Sequence, residues 1–185
     1  MEGAWSQGRS ILGVAHNAAQ HNQGEIMGAK GEALAKQFEA KVAEATALLE
    51  KLSDADWKKT TAAEKWTVAV AAHHVARSYE PITHIIKAIA AGQALHQLSP
   101  QMLDEMNAQH AKEFAGCTKP ETIALIKTGA AAAASAVRAL SDAELAKTGV
   151  VFTGMPPMSA EEMVKRALIG HADEHFGNIR KTIGA

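Results

Sequence analysis

The stretch SAEEMVKRALIGHADEHFGNIRKTIG, Ser159 to Gly184, reads as one long amphipathic helix. Ser159 and Glu162 have the spacing of a capping box, and Gly184 stands where a helix can close. Val164, Leu168, His171, His175, Ile179 and Thr182 recur at steps of three and four, so two histidines interrupt an otherwise apolar side. Being four residues apart, His171 and His175 lie about 40° apart around the axis and one turn apart along it, within reach of a single ion. Polar groups facing a core need partners, so these two histidines call for others elsewhere in the chain.

Working back from that helix, a loop with Gly149, Gly154, Pro156 and Pro157 separates it from a preceding helix. Thr118 and Glu121 cap that helix around Pro120, and it runs through the alanine tract 130–134 to Leu140, with small side chains that permit close approach of a neighbour. Ser99-Pro100 opens a shorter helical stretch to about Phe114, expected as a long crossover. Thr67 caps an earlier helix with Val68, Ala71, Val75, Ile82, Ile86 and Ile89 inside and Gly92 at its end; Pro81 within it predicts a kink or a restart. From Gly31, the residues Leu34, Phe38, Val42, Ala45, Leu49 and Leu52 mark the first strong helix. Residues 1–30, with Gly3, Gly8, Gly13, Gly24 and Gly28 among polar residues, predict a weak N-terminal extension with at most a short helix over Ser10–Gln20. The expectation is therefore an all-α protein: residues 1–30 an appendage, residues 31–185 a four-helix bundle with a long crossover between its second and third helices.

Composition agrees. Of 185 residues, 47% are apolar, many of them alanine, and the aromatics are only four Phe, three Trp and one Tyr, which suits close-packed helices rather than a β-sandwich. Lys plus Arg number 19 against 20 Asp plus Glu, with no basic cluster to neutralise phosphates, so nucleic acid is not expected as a partner. The single cysteine, Cys117, excludes an intramolecular disulfide and a multi-cysteine zinc site. Neither a leader-like N-terminus nor a run of eighteen apolar residues is present, which predicts a cytoplasmic protein with no membrane partner. Leu52-Ser53-Asp54-Ala55-Asp56-Trp57 is echoed by Leu140-Ser141-Asp142-Ala143-Glu144-Leu145; the echo fits two helix-loop-helix halves, or an ordinary Ser-Asp turn used twice.

On the second strong helix, Ala71, His74, Ser78, Ile82, Ile85 and Ile89 form an inward line, and His73 is turned about 100° away from it. His74 is thus the third candidate ligand beside His171 and His175. His16, His21, His73, His84, His96 and His110 lack a partner spacing and read as surface or locally hydrogen-bonded residues, and Tyr79 and Trp66 as packing residues. His171-Ala172-Asp173-Glu174-His175 also fits the H-x-x-E-H pattern of inverted zinc proteases, but only ten residues follow and none is acidic, so the further acidic ligand is missing. Glu174 stands as a candidate base or supporting carboxylate, against the plainer reading of a solvated side chain.

Trp66-Thr67-Val68 with His74 eight residues after the tryptophan, Asn107 in the crossover, the Leu140-Ser141-Asp142 turn, and His171 to His175 followed by Asn178-Ile179 resemble, in order and spacing, the DinB-like superfamily. That group includes the YfiT-type metal hydrolases and thiol-dependent transferases and isomerases. The resemblance spans roughly residues 30–184 and implies a four-helix bundle in which His74, His171 and His175 hold a divalent transition metal, nickel or zinc. Three imidazoles leave a position open for water or substrate, as catalytic sites do. Two functions follow as expectations: a metal-dependent enzyme of hydrolase or thiol-transferase type acting on a small molecule, or a non-catalytic metal-binding or stress-associated module, with a homodimer through the small-residue helix as a further expectation.

Overall fold

The computed structural model describes residues 28–185; the short helix expected over Ser10–Gln20 lies outside them. Four long helical rods make the bundle: α1 (Ala29–Lys51), α3 (Val68–Ala91), α5 (Lys119–Arg138) and a composite last rod. Between them lie the short α2 (Asp54–Trp57), the crossover helix α4 (Pro100–Glu113) and the short α6 (Asp142–Ala146). The last rod joins α7 (Ala160–Met163), a π-helical segment (Val164–Gly170) and α8 (His171–Ile183) without leaving helical backbone. Both α5 and the last rod pack against α1 and against α3, so the first and second long helices face one another across the bundle with later elements between them.

The starts are those expected from local chemistry. Thr67, Ser99, Thr118 and Ser159 each accept a hydrogen bond from the backbone N–H three residues on, satisfying a donor that the first turn leaves unpaired. The two halves of the sequence echo adopt the same local structure: Ser53 with Asp56, and Ser141 with Glu144, form complete capping boxes on α2 and α6. Helix α3 passes Pro81 without the expected restart. Pro81 and Arg77, four residues before it, are both exposed, so the carbonyl that loses its helical donor lies where water can replace it.

The core is built from the predicted stripes. Leu34, Phe38, Ala45 and Leu49 of α1 meet Val75, Tyr79, Ile86 and Ile89 of α3 and Ile126, Ala130, Ala134 and Val137 of α5, all buried. Phe38 and Tyr79 touch edge to face, 5.2 Å between ring centroids, a favoured aromatic geometry. The crossover carries no fully buried residue in α4. It is held at its start by Leu98, whose backbone exchanges hydrogen bonds with Val151 (2.8 Å) and Thr153 (3.0 Å) in the loop before the last rod. That loop is closed by a two-residue antiparallel ladder between β1 (Thr148–Gly149) and β2 (Met158–Ser159).

Gly31 of α1 passes close against the backbone at the end of α5. A Cβ at Gly31 would lie 2.7 Å from the Val137 carbonyl oxygen and 2.8 Å from that of Leu140. Nearby, Arg138 bridges Glu32 and Glu39 of α1, its Nη2 2.9 Å from Glu39 Oε2. Backbone atoms cannot swing aside as a side-chain tip can, so Gly31→Ala should lower unfolding free energy by about 1–3 kcal/mol. Urea denaturation checks this; a midpoint unchanged from wild type would show that the two helices are not held at this separation.

Candidate metal centre

The histidines predicted from separate helices come together. His74 on α3 and His171 and His175 on α8 each offer a ring nitrogen, and these atoms all lie within 4.8 Å of one another. Among the described residues, no other His, Cys, Asp or Glu group forms such a cluster. His74 Nε2 and His171 Nε2 are 3.1 Å apart. Tetrahedral coordination with metal–nitrogen bonds of about 2.0–2.1 Å places donor nitrogens about 3.3 Å from one another, so the spacing fits a shared ion. The rings meet edge to face, with centroids 5.0 Å apart for His74 and His171, 5.1 Å for His74 and His175, and 4.6 Å for His171 and His175.

A wide turn precedes the pair. In the π-helical segment the backbone closes five residues back, as in the bond from His171 N–H to the Arg166 carbonyl. This adds material to a turn and changes the angular register of everything after it, a feature frequent at functional sites. The apolar line expected through Val164, Leu168 and the histidines is accordingly displaced. After the π segment the fully buried residues are Ala172, Phe176 and Ile179, while His171 and His175 lie beside them, half-buried.

The environment selects neutral imidazoles. Burial, reinforced by the neighbouring His171, His175 and His110, lowers His74 from 6.5 to about 3; burial and then His175 lower His171 to about 4. A neutral ring keeps the lone pair a metal requires. His73, which the sequence assigned to the surface or to local bonding, is buried at 7% exposure and stacks on Phe114 with centroids 4.2 Å apart. Its Nδ1 lies 3.4 Å from Nε2 of His110 on α4, and the His110 ring stands edge-on to His74 at 5.3 Å. Burial, then His110 and Arg77, lower His73 to about 4. The crossover thus adds an imidazole beside the centre, which linear spacing could not reveal.

Glu174 is exposed and takes part in none of the hydrogen bonds or ion pairs among the described residues; one step of about 100° along α8 turns it from the face of His175. The carboxylate that touches the cluster is Glu64, from the connection before α3. Its Oε1 lies 2.9 Å from His175 Nδ1 and accepts a 2.8 Å hydrogen bond from Asn178 Nδ2. Burial opposes the ionised form of Glu64, yet hydrogen bonds to the group hold its carboxyl below the ordinary value. Its Oε2 is buried without a partner. Lys65, next in the chain, has φ 61, a left-handed conformation that costs a side-chain-bearing residue roughly 1–2 kcal/mol. On its other side Trp66 lies over His74 at 5.2 Å and parallel to His175 at 6.4 Å, so this packing residue packs against the site itself. Nothing periodic in the polar connection marks Glu64; only its place two residues before Trp66 ties it to a recognised motif.

A helical bundle with a histidine cluster between its second and last long rods defines the class. The sequence profile of the mycothiol maleylpyruvate isomerase N-terminal domain matches residues 38–169, and the chain belongs to that family. The match includes His74 and ends just before His171. The crystal structure of the mycothiol-dependent maleylpyruvate isomerase superposes with a TM-score of 0.61 at 16% identity, covering 84% of this chain and 61% of that one. A histidine-to-alanine mutant of that isomerase gives 0.63 at 14% identity, with the same coverage. The chain therefore spans about three fifths of the isomerase's length. YfiT from Bacillus subtilis, described as "a probable metal-dependent hydrolase with an unusual four-helix bundle topology", gives 0.61 at 16% identity over 98% of this chain and 95% of its own. At these identities the likeness establishes the fold. No match was found among curated protein sequences. No helix among the described residues is long and apolar enough to cross a membrane.

The buried imidazoles make the metal-free protein acid-sensitive. The unfolded chain takes up protons on His73, His74 and His171 near pH 6.5, whereas the fold resists protonation until about 4 or below. Between those values the unfolded state binds more protons, so stability falls as pH falls. Urea midpoints of metal-free protein should be lower at about pH 5 than at about pH 7. Equal midpoints would mean that these rings are not held neutral by the fold.

Proposed function

We propose that the chain is a metal-dependent enzyme, of hydrolase or thiol-dependent transferase type, whose ion is held by His74, His171 and His175. The observation carrying this reading is the convergence of three half-buried ring nitrogens within 4.8 Å, with no fourth His, Cys, Asp or Glu among the described residues in the group. Closed structural zinc sites use four protein ligands, whereas three leave a position for a reactant. An all-imidazole set suits zinc or nickel. When bound, such an ion supplies Lewis acidity to a carbonyl or a site for a thiolate.

Two comparisons support the reaction class. The family is named for an isomerase that depends on mycothiol, a thiol, and the full-length likeness is to a bundle described as "a probable metal-dependent hydrolase". Side chains around the cluster enclose it: Trp66 packs against two of the rings, and α4 brings His110 beside His74.

Protein purified without a histidine tag should carry close to one transition-metal ion per chain by elemental mass spectrometry, and His74→Ala and His171→Ala should each lose most of it. Added zinc or nickel should raise the melting temperature of the metal-free wild type and not of either variant; an ion at 100 times its Kd stabilises by about 2.7 kcal/mol. Wild-type protein that takes up no ion even on reloading would sink the metal reading. Stoichiometric ion without metal-dependent turnover across ester, amide and thiol-dependent substrates would instead favour a non-catalytic metal-binding module.

A further inference from the structure

The connection between α2 and α3 is a closed loop rather than a slack tether. The Thr61 N–H donates to the Trp66 carbonyl at 2.8 Å, and the Thr61 hydroxyl donates to the same oxygen at 3.2 Å. One step outward, Val68 N–H donates to the Lys59 carbonyl at 2.8 Å, with Thr60 and Thr67 paired between them. Thr61 is fully buried. The loop thus has fixed ends, and its turn at Lys65 is held at a φ of 61°, a conformation that persists only where the surroundings impose it.

What this loop delivers is Glu64. Its side chain is 10% exposed and that of His175 is 12% exposed, so the 2.9 Å contact between Oε1 and Nδ1 is made largely out of water. A buried carboxylate with one oxygen unpartnered is costly to keep for packing alone. A carboxylate can only accept, so Nδ1 of the imidazole carries a proton at this contact, and in the neutral ring Nε2 is left with the free lone pair. Asn178, one turn further along α8, donates to the same Oε1 at 2.8 Å and holds it in place. Glu64 itself is not among the residues whose donor atoms cluster, so its contact with the centre is through the histidine.

We infer that Glu64 is a positioning residue: it selects the Nδ1–H tautomer of His175 and orients the ring so that Nε2 is presented to the shared centre. The inference rests on the metal-binding reading for its consequence, tighter ion binding, but the tautomer it requires is a property of the protein without metal. Carboxylates that accept from a ligating imidazole fix its orientation and raise its basicity, and their loss typically weakens binding about 10–100-fold.

The test uses the full chain, metal-free and then titrated with zinc or nickel alone, in wild type, Glu64→Gln and Glu64→Ala. In the metal-free wild type, two-bond nitrogen–proton NMR correlations should show His175 protonated on Nδ1. In Glu64→Ala, that preference should disappear and the Kd for the ion should rise about 10–100-fold. Glu64→Gln, which keeps an acceptor oxygen without the charge, should retain the tautomer and lose less affinity than Glu64→Ala. A wild-type His175 protonated on Nε2 would overturn the inference, as would a folded Glu64→Ala whose tautomer and Kd match wild type. Should Glu64→Ala fail to fold, the wild-type tautomer and the Kd of Glu64→Gln decide, an unchanged Kd counting against the role. Should wild type bind neither ion, the proposed function fails while the tautomer still tests the positioning.

Discussion

Taking an imidazole out of water costs free energy unless the ring finds a partner, and three such rings are brought together at the contact between α3 and α8. His74 and His171 are pushed by burial well below the ordinary histidine range and face one another at 3.1 Å. Each ring is acceptable at that depth because the others are there, and because an ion can satisfy all three at once. The neighbouring apolar packing sets the distance between the two helices. Ala71, Ala72 and Val75 on α3 and Ala172, Phe176 and Ile179 on α8 are all buried, so the centre is framed by a close-packed interior.

The bundle's topology serves that contact. Because α5 lies against both α1 and α3, its alanines let the first three rods close up, and the last rod occupies the remaining side of the bundle. The π-helical segment then adjusts where the last rod places its histidines. A segment of this kind loses regular hydrogen-bond geometry, and its place immediately before His171 makes it part of the site rather than of the scaffold. The loop before α3 is similarly built, with a left-handed lysine between the carboxylate that meets His175 and the tryptophan that covers it.

Much of this was legible in the chain. Helix starts are local events, set by a hydroxyl three residues from a backbone N–H, and Thr67, Ser99, Thr118 and Ser159 appear as caps where the sequence places them. Inward faces follow from helical periodicity, which is why Leu34, Phe38, Ile86 and Ile89 could be assigned to the core. The same periodicity distinguished His74 from His73 and paired His171 with His175. Of the kink or restart expected at Pro81, the restart does not occur, because the cost of a proline depends on whether the abandoned carbonyl can reach water, and that is a property of the packed bundle.

By itself, then, the sequence determined the helical class of fold, the starts of its main helices and the pairing of His171 with His175, since each depends on spacings within one helix; His74 was joined to that pair by the inward face of a second helix and by the family resemblance, and the packed bundle brings the three together. Only the tertiary structure decided which carboxylate reaches the centre: Glu174 is adjacent to His175 in the chain and exposed, whereas Glu64 is more than a hundred residues away and 2.9 Å from its ring. It likewise decided that His110 on the crossover flanks His74, and that the last rod contains a wide turn. These are contacts between segments distant in the chain, or adjustments of backbone to packing, and neither leaves a period in the sequence. Local hydrogen bonds and periodic burial are written residue by residue, while the partner of a buried polar atom is settled only when the helices have closed around it.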